Sequence, residues 1–437
     1  MRAVGTGVAS IESIDHEGVG VAHVDGKVTF IDGGVTGELV AFTRRRSRGN
    51  FDLGTVTEVL RESPQRVTPR CGYFGTCGGC AMQHVDAFAQ VAAKQRVLED
   101  NLARIGKVTP GMMLPPVVGP AWGYRNRARL SVHYVVKKGG VLVGFHERRS
   151  SFVADTMSCD VLPPAVSQLV PALREMFTGL KLRDRLPQIE LAVGEDVTIF
   201  VLRNLEPIPE EDAAKLRAFA DAHGIQWWLQ PKGPDTAHPW YPLEAPALDY
   251  ALPEFGLRIA FGPTEFTQVN AGVNRILVRR AVDMLDPRPG ERVGDLFCGL
   301  GNFSLPLATR GATVIGMEGA PSLVKRAGDN ARANGLAHLA TFLAHDLYKD
   351  PAGALERLGP VDKLLIDPPR DGAMDICKAL PDSGGPHRIV YVSCSPSTLA
   401  RDSGVLVNVK GYRLEAAGVV NMFPHTGHVE SIALFRR

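Results

Sequence analysis

The sequence of 437 residues is 45% hydrophobic and 22% charged, enough apolar material for several packed cores. Its 49 Lys and Arg against 47 Asp and Glu give a formal net charge of +2, which excludes a polyacidic or uniformly basic chain and requires any nucleic-acid partner to be met by local patches. Seven cysteines are too few and too unevenly spaced for a disulfide scaffold, and with no signal-peptide run at the start and no membrane-spanning run elsewhere, the expected location is the cytoplasm.

Residues 1–62 read as a small β-barrel. From residue 3 onward, VASIESI, GVGVAHV, GKVTFI, GELVAFT and GTVTEVL are short strand-like segments rich in Val, Thr and Phe, with Gly26, Gly33 and Gly34 as turn punctuation. Five such strands would leave open edges and little core unless they closed. Arg44, Arg45, Arg46 and Arg48 follow the fourth strand and form a candidate phosphate-contact patch, with a solvated face as the alternative.

Residues 63–110 hold a Cys-rich loop and a joining helix. The helix is predicted from Asp86, its cap, with Phe88, Val91, Leu98, Leu102 and Ile105 at helical spacing. Clustered Gly and Pro over 106–120 read as a linker. Residues 111–257 follow an α+β pattern, strand-rich with helices near 165–178 and 209–222. Arg125, Arg127 and Arg129 alternate along one predicted strand there, and Lys137, Lys138, Arg148 and Arg149 flank another, giving a second candidate RNA surface.

Over 258–437 strands and helices alternate: ERVGDLF, ATVIGME, ATFLAHD, VDKLLID and HRIVYVS are separated by helical stretches. This predicts a Rossmann-like α/β domain whose ligands bind beyond the carboxyl ends of the strands. The distinctive residues fall at those ends. Asp295 leads a loop with Gly299, Gly301 and Asn302, in which the glycines permit close backbone approach to a nucleotide-like ligand. Glu318 ends the second strand, Asp346 the third and Asp367 the fourth. Four acids suit a ligand with a positive centre and would repel a pyrophosphate, so S-adenosylmethionine, a sulfonium, is expected over a dinucleotide; helix-capping acids are the bland alternative. Asp367-Pro368-Pro369-Arg370 is a rigid turn like those that grip target amino groups in N-methylating enzymes, although Arg370 stands where those have an aromatic residue. Cys394 ends the fifth strand at the expected rim and is a candidate nucleophile, whereas Cys298 and Cys377 read as small buried hydrophobes.

The remaining cysteines read Cys71-x5-Cys77-x2-Cys80, with Cys159 far downstream. Four thiolates suit zinc or a [4Fe-4S] cluster, and the three-plus-one spacing favours the cluster; unligated thiols are the third possibility.

Taken together these segments resemble the bacterial 23S rRNA (uracil-5-)-methyltransferases over nearly the whole chain. IESIDHEGVGVAHVDGKVTFIDGGVTGELV looks like their TRAM domain, an OB-like RNA-contacting barrel, and CGYFGTCGGCAMQH like their cluster loop, with Cys159 as the remote ligand. FTQVN (266–270), DLFCGLGNF (295–303), DPPR (367–370), SCSPSTLARD (393–402) and MFPHTGHVE (422–430) resemble their class I methyltransferase motifs in order. Ser395 stands where the family commonly has Asn.

The resemblance implies a monomeric, membrane-free enzyme that methylates carbon 5 of a uridine in 23S rRNA, with position 1939 of that RNA as the favoured target and a structural [4Fe-4S] cluster. Cys394 would add to carbon 6 and Glu430 would take the carbon 5 proton. Gln268 and Asp367 would contact the pyrimidine, Gln268 and Phe266 the methyl donor, and Glu318 and Asp346 its ribose and adenine. The alternatives are a tRNA uracil-C5 methyltransferase, an RNA amino-group N-methyltransferase using the DPPR turn, and a non-catalytic RNA-binding assembly factor.

Overall fold

Phe42 organises the amino-terminal sheet of the computed structural model, which describes residues 5–437. Its ring, 1% exposed, lies beneath Gly7 and Gly54 on the two flanking strands, where a Cβ would come within 2.9 and 2.7 Å of it. Only glycine at those points lets both strands close over the ring. Six strands result, in the order Thr6–Ser10, Leu39–Ser47, Phe51–Arg61, Lys27–Asp32, Gly20–Val24 and Ser13–Ile14. The first expected segment, VASIESI, divides in two around buried Ile11, and the start of the strand-rich stretch at residues 3 and 4 lies outside the described residues. Register shifts at Leu39/Val40, Ala41/Phe42 and Arg44/Arg46 bend the long central pair, as bulges do in small barrels.

The Cys-rich loop ties this unit to the middle domain through its backbone. Cys77 bridges to Glu147, the Gly78 N–H donates to the His146 carbonyl at 2.8 Å, and the Arg148 N–H donates to the Thr76 carbonyl at 2.8 Å. The middle domain is a six-stranded sheet in the order His238–Tyr241, Gln226–Gln230, Thr198–Arg203, Gln188–Val193, Arg127–Val135 and Gly140–Gly144. Helices Val170–Thr178 and Glu210–His223 lie close to their expected places and pack Leu173, Phe177, Leu216 and Phe219 around buried Trp227.

The carboxyl-terminal sheet has eight strands: Ala340–Ala344, Thr313–Glu318, Arg292–Leu296, Lys363–Ile366, Arg388–Ser393, Glu430–Arg436, Arg413–Val420 and Met112–Met113. The first five are parallel, so their carboxyl ends share one rim, and Glu430–Arg436 then runs antiparallel. The stretch expected as a linker belongs to this body. Met112–Met113 adds a parallel edge strand beside Arg413–Val420, and Val108 and Val117 are buried in its cores. Apolar residues between the breakers had a sheet edge to cover, which composition alone does not reveal.

Helix Ala87–Asn101 is capped as expected, with Asp86 Oδ1 accepting from the N–H groups of Phe88 and Ala89. Its buried face differs from the predicted one. Phe88 is 81% exposed, and Gln90 and Lys94 are buried beside Val91 and Leu98. No helix among the described residues is long and apolar enough to cross a membrane.

Candidate active site

The register between two strands brings together a thiol and a carboxylate 36 positions apart. Arg388–Ser393 pairs antiparallel with Glu430–Arg436, ending at Ser393 opposite Ser431, so Cys394 and Glu430 each adjoin that last pair; both line one cavity, and the Glu430 charge reaches the thiol. Beside them, the Lys363–Ile366 strand delivers Asp367 to the same rim, where its N–H donates to the Leu296 carbonyl.

This cluster lies at the junction of two spaces. An inner cavity of about 860 Å³ is lined by the strand-end residues, among them Phe266, Gln268, Asn302, Glu318, Asp346 and Asp367. An outer groove of about 900 Å³ runs between His16 and Glu17 of the amino-terminal sheet, Gly78–Ala81 of the Cys loop, Phe145–Arg149 of the middle domain and Ser395–Ser397. Cys394, Arg125, Arg370, His428 and Val429 line both. A long polymer in the groove could therefore present one group to a small molecule in the cavity across Cys394.

Charge in the cluster is set by burial. Glu430 is 3% exposed, and desolvation, reinforced by the neighbouring Asp367 carboxylate, pushes it up to about 8 against a partial offset from Arg370. Desolvation alone pushes Asp367 up to about 7. The Cys394 thiol is raised to about 11 by burial and by Glu430 and Asp367, so the resting group is a thiol and must lose its proton as it attacks. Arg370 is the guanidinium that opposes both shifts; its Nη2 donates to His428 Nδ1 at 2.9 Å, and desolvation keeps His428 below its ordinary value. The Arg370 that weakened the amino-methylation reading thus faces the thiol and carboxylate together.

The Asp295 loop is held from beneath. Asp295 is fully buried; Oδ2 accepts from the Ser304 hydroxyl, and Oδ1 has no hydrogen-bond partner among the described residues. Desolvation raises it to about 7. Gly299 and Gly301 have φ of 53° and 90°, conformations glycine adopts freely, and Phe297 at 63° does so despite its side chain. Glu318 accepts from the N–H groups of Gly299 at 3.3 Å and Ala320 at 3.1 Å, which aims its carboxylate into the cavity mouth. Asn302 is fixed by Tyr250 and Asn274, two partners that no sequence motif singled out. Asp346 also accepts from its own loop, from the N–H groups of Tyr348 and Lys349.

Asp295, Asp367 and Glu430 bind their protons more tightly in the fold than in the unfolded chain, where carboxylates titrate near 4. Above about pH 4 the native state then holds more protons, and the stability these groups contribute is lost as pH rises toward 7 to 8. Asp295→Asn removes one of them. The variant should gain in Tm relative to the parent as pH goes from 5 to 8; a Tm difference that stays constant would show that Asp295 is ionised throughout.

The expected basic patches are only partly free. Arg44 pairs with Asp52 at 2.9 Å, and Arg46 is exposed. Arg45, Arg148 and Arg149 surround Asp32 at 3.7, 3.2 and 3.3 Å, an excess of positive charge beside the groove. Arg127 donates to the Pro263 carbonyl and Arg129 pairs with Glu190. Of that trio Arg125 alone lines the cavities, with a buried Nε that has no hydrogen-bond partner among the described residues.

The structure corrects the metal expectation. Cys71, Cys77, Cys80 and Cys159 border one small space of about 30 Å³ shared with Phe74 and Phe145, but no group of three or more His, Cys, Asp or Glu among the described residues is arranged to hold a metal ion. All four are free thiols. A four-thiolate [4Fe-4S] cluster, and zinc in its place, are thereby overturned. Spacing showed that the four could meet and carried no information on where their sulfurs point. Cys298 and Cys377 are buried, as expected of small hydrophobes.

Residues 87–437 match the family model described as tRNA (Uracil-5-)-methyltransferase. The chain is 61% identical over 430 residues to a protein of Thiobacillus denitrificans named 23S rRNA (uracil(1939)-C(5))-methyltransferase RlmD, covering 98% of this chain and 99% of that one. A protein of the same name from Aromatoleum aromaticum is 59% identical, with the same coverage. Among solved structures, the Pyrococcus abyssi tRNA (uracil-54, C5)-methyltransferase in complex with S-adenosyl-L-homocysteine superposes with a TM-score of 0.73 at 23% identity and full coverage of both chains, a likeness of fold. The thiol, the carboxylate and the acid-lined cavity thus stand in a chain whose length is matched end to end by such relatives: it belongs to the uracil-5-methyltransferase family and is a methyltransferase enzyme.

Proposed function

We propose that this chain transfers a methyl group from S-adenosylmethionine to carbon 5 of a uridine in 23S rRNA, the activity printed in the names of its full-length relatives. The observation that carries the reading is that Cys394 and Glu430 flank the last pair of adjacent strands and share the inner cavity, at the point where Cys394 also borders the outer groove. Those relatives are named for uracil 1939, which makes that position the favoured target here.

The cavity fits the methyl donor on its own terms. It offers Glu318, Asp346 and Asp367 to hydroxyl and amino groups and to a positive centre, with the buried, unpartnered oxygen of Asp295 behind the glycine loop. Its two guanidiniums, Arg125 and Arg370, sit at the end shared with the groove. S-adenosylmethionine supplies an electrophilic methyl on sulfur. Phe266 and Gln268 line the same cavity, where Gln268 can bond donor or base.

Carbon 5 of uracil is a weak nucleophile, and the residues at the junction overcome this by covalent addition. Cys394 gives its thiol proton to solvent in the open groove that it lines and adds its sulfur to carbon 6, which places an electron pair on carbon 5 as an enolate. Arg370, the guanidinium whose charge reaches the thiol, offsets the negative charge. Carbon 5 takes the methyl, Glu430 removes the proton from carbon 5, the double bond reforms and Cys394 leaves as thiolate. Asp367, beside both groups, is placed to bond the pyrimidine edge. The uridine must swing out of its stack to enter, and the groove carries RNA past the junction, with Arg45, Arg148 and Arg149 to meet phosphate.

Labelled methyl transfer to 23S rRNA from cells lacking this gene is the test. Incorporation as 5-methyluridine at position 1939 is expected. Methylation of tRNA in preference to rRNA, or of an amino group, would replace this reading.

A further inference from the structure

Helix Ala87–Asn101 turns a polar face toward the loop that leads into Glu430, and Lys94 lies at its centre, 0% exposed. Its Nζ donates to Asn421 Oδ1 at 2.9 Å and to the Phe423 carbonyl at 2.8 Å. That carbonyl also accepts from the Thr426 hydroxyl at 3.0 Å. One helical turn earlier, Gln90 Oε1 accepts from the His425 N–H at 2.9 Å, while its Nε2 donates to the carbonyls of Met82 and Val85. Two successive turns of the helix thus hold residues 421–425 from behind. In front, Phe423, His428 and Glu430 line the inner cavity.

Lys94 has no carboxylate in salt-bridge contact among the described residues, and burial alone drives its ammonium down to about 7. Burying an amine without a counter-charge is costly, and an apolar side chain of similar volume would pack the same place at less cost. Packing therefore does not account for a lysine here, whereas the two oxygens it holds, one on each side of Met422, do.

We propose that Lys94 is a positioning residue for uracil methylation: by anchoring Asn421 and the Phe423 carbonyl it fixes the turn that sets Glu430 beside Cys394 for removal of the carbon 5 proton. The inference rests on the role given to Glu430 above. A shift of about 1 Å in a proton acceptor can cost on the order of 100-fold.

The test separates addition from elimination in the full-length protein. RNA carrying 5-fluorouridine at the target has no carbon 5 proton to remove, so its covalent capture reports Cys394 and methyl transfer alone. For Lys94→Met, turnover on unmodified rRNA should fall about 10- to 100-fold, capture on fluorinated RNA should stay within about threefold of the parent, and a methylated protein–RNA adduct should accumulate on unmodified RNA. Turnover within about twofold of the parent overturns the proposal, as does capture that falls in step with turnover, which is the mark of a general structural defect. Asn421→Ala breaks the same contact from the loop side, should show a milder form of the same split, and decides the matter if Lys94→Met does not fold. Failure of the parent protein itself to capture fluorinated RNA would count against the Cys394 reading, a result distinct from any failure of the variant.

Discussion

Cys394→Ala should abolish methyl transfer, by a factor on the order of 10⁴ or more, while leaving Tm within a few degrees of the parent. The size follows from what replaces the thiol. Without a sulfur to add at carbon 6, carbon 5 keeps its weak nucleophilicity, and positioning of the two partners is the only acceleration left. The small effect on stability follows from place: Cys394 is partly exposed at a strand end and fills no core, unlike Cys298 and Cys377. Cys394→Ser should be nearly as inactive. The parent thiol, held near 11, already has to be deprotonated during attack, and a serine hydroxyl is harder still to ionise. Methyl counting on rRNA together with capture on 5-fluorouridine RNA checks both variants. Full methylation by Cys394→Ala would remove the nucleophile from the mechanism and return Asp367-Pro368-Pro369 to consideration as an amino-group grip.

Much of this site could be read in the sequence because its residues sit where a parallel sheet must put them. Asp295, Glu318, Asp367 and Cys394 each follow a run of apolar strand residues, and the sheet brings all such ends to one rim. Glu430 begins an antiparallel strand, so its approach to Cys394 depends on register, which no local pattern states. Lys94 and Gln90 were hidden for a related reason. Helical periodicity counts apolar residues, and these polar ones are buried by partners more than 320 positions away. The same count placed Phe88 in the core, where it is not. The cysteines show the converse failure, since spacing that suits a cluster brought the four around one small space without an arrangement that could hold a metal ion. Nor does the amino-terminal barrel distinguish rRNA from tRNA as substrate: a tRNA enzyme shares the fold over the full length of both chains, so that distinction rests on sequence identity to the relatives.

Glu430→Gln should uncouple the two halves of the reaction. The amide keeps the shape but cannot take a proton, so addition and methyl transfer proceed and elimination stalls, with turnover down by about 10² to 10⁴ and the methylated adduct accumulating on unmodified RNA. The pH profile distinguishes this from simple damage. In the parent protein Glu430 must be ionised to act as base, and with burial and Asp367 holding it near 8, turnover should climb as pH rises from 6 to 8 and level off above. Because Asp367 sits near 7 and the two carboxylates repel, the inflection belongs to the pair. In Glu430→Gln that inflection should vanish, and any remaining climb should continue toward the range where the Cys394 thiol itself ionises. An unchanged inflection near 8 in the variant would assign the titration to another group and leave Glu430 without a role as base. Loss of the inflection with no accumulated adduct would place the proton transfer before methyl transfer, as the step that activates Cys394.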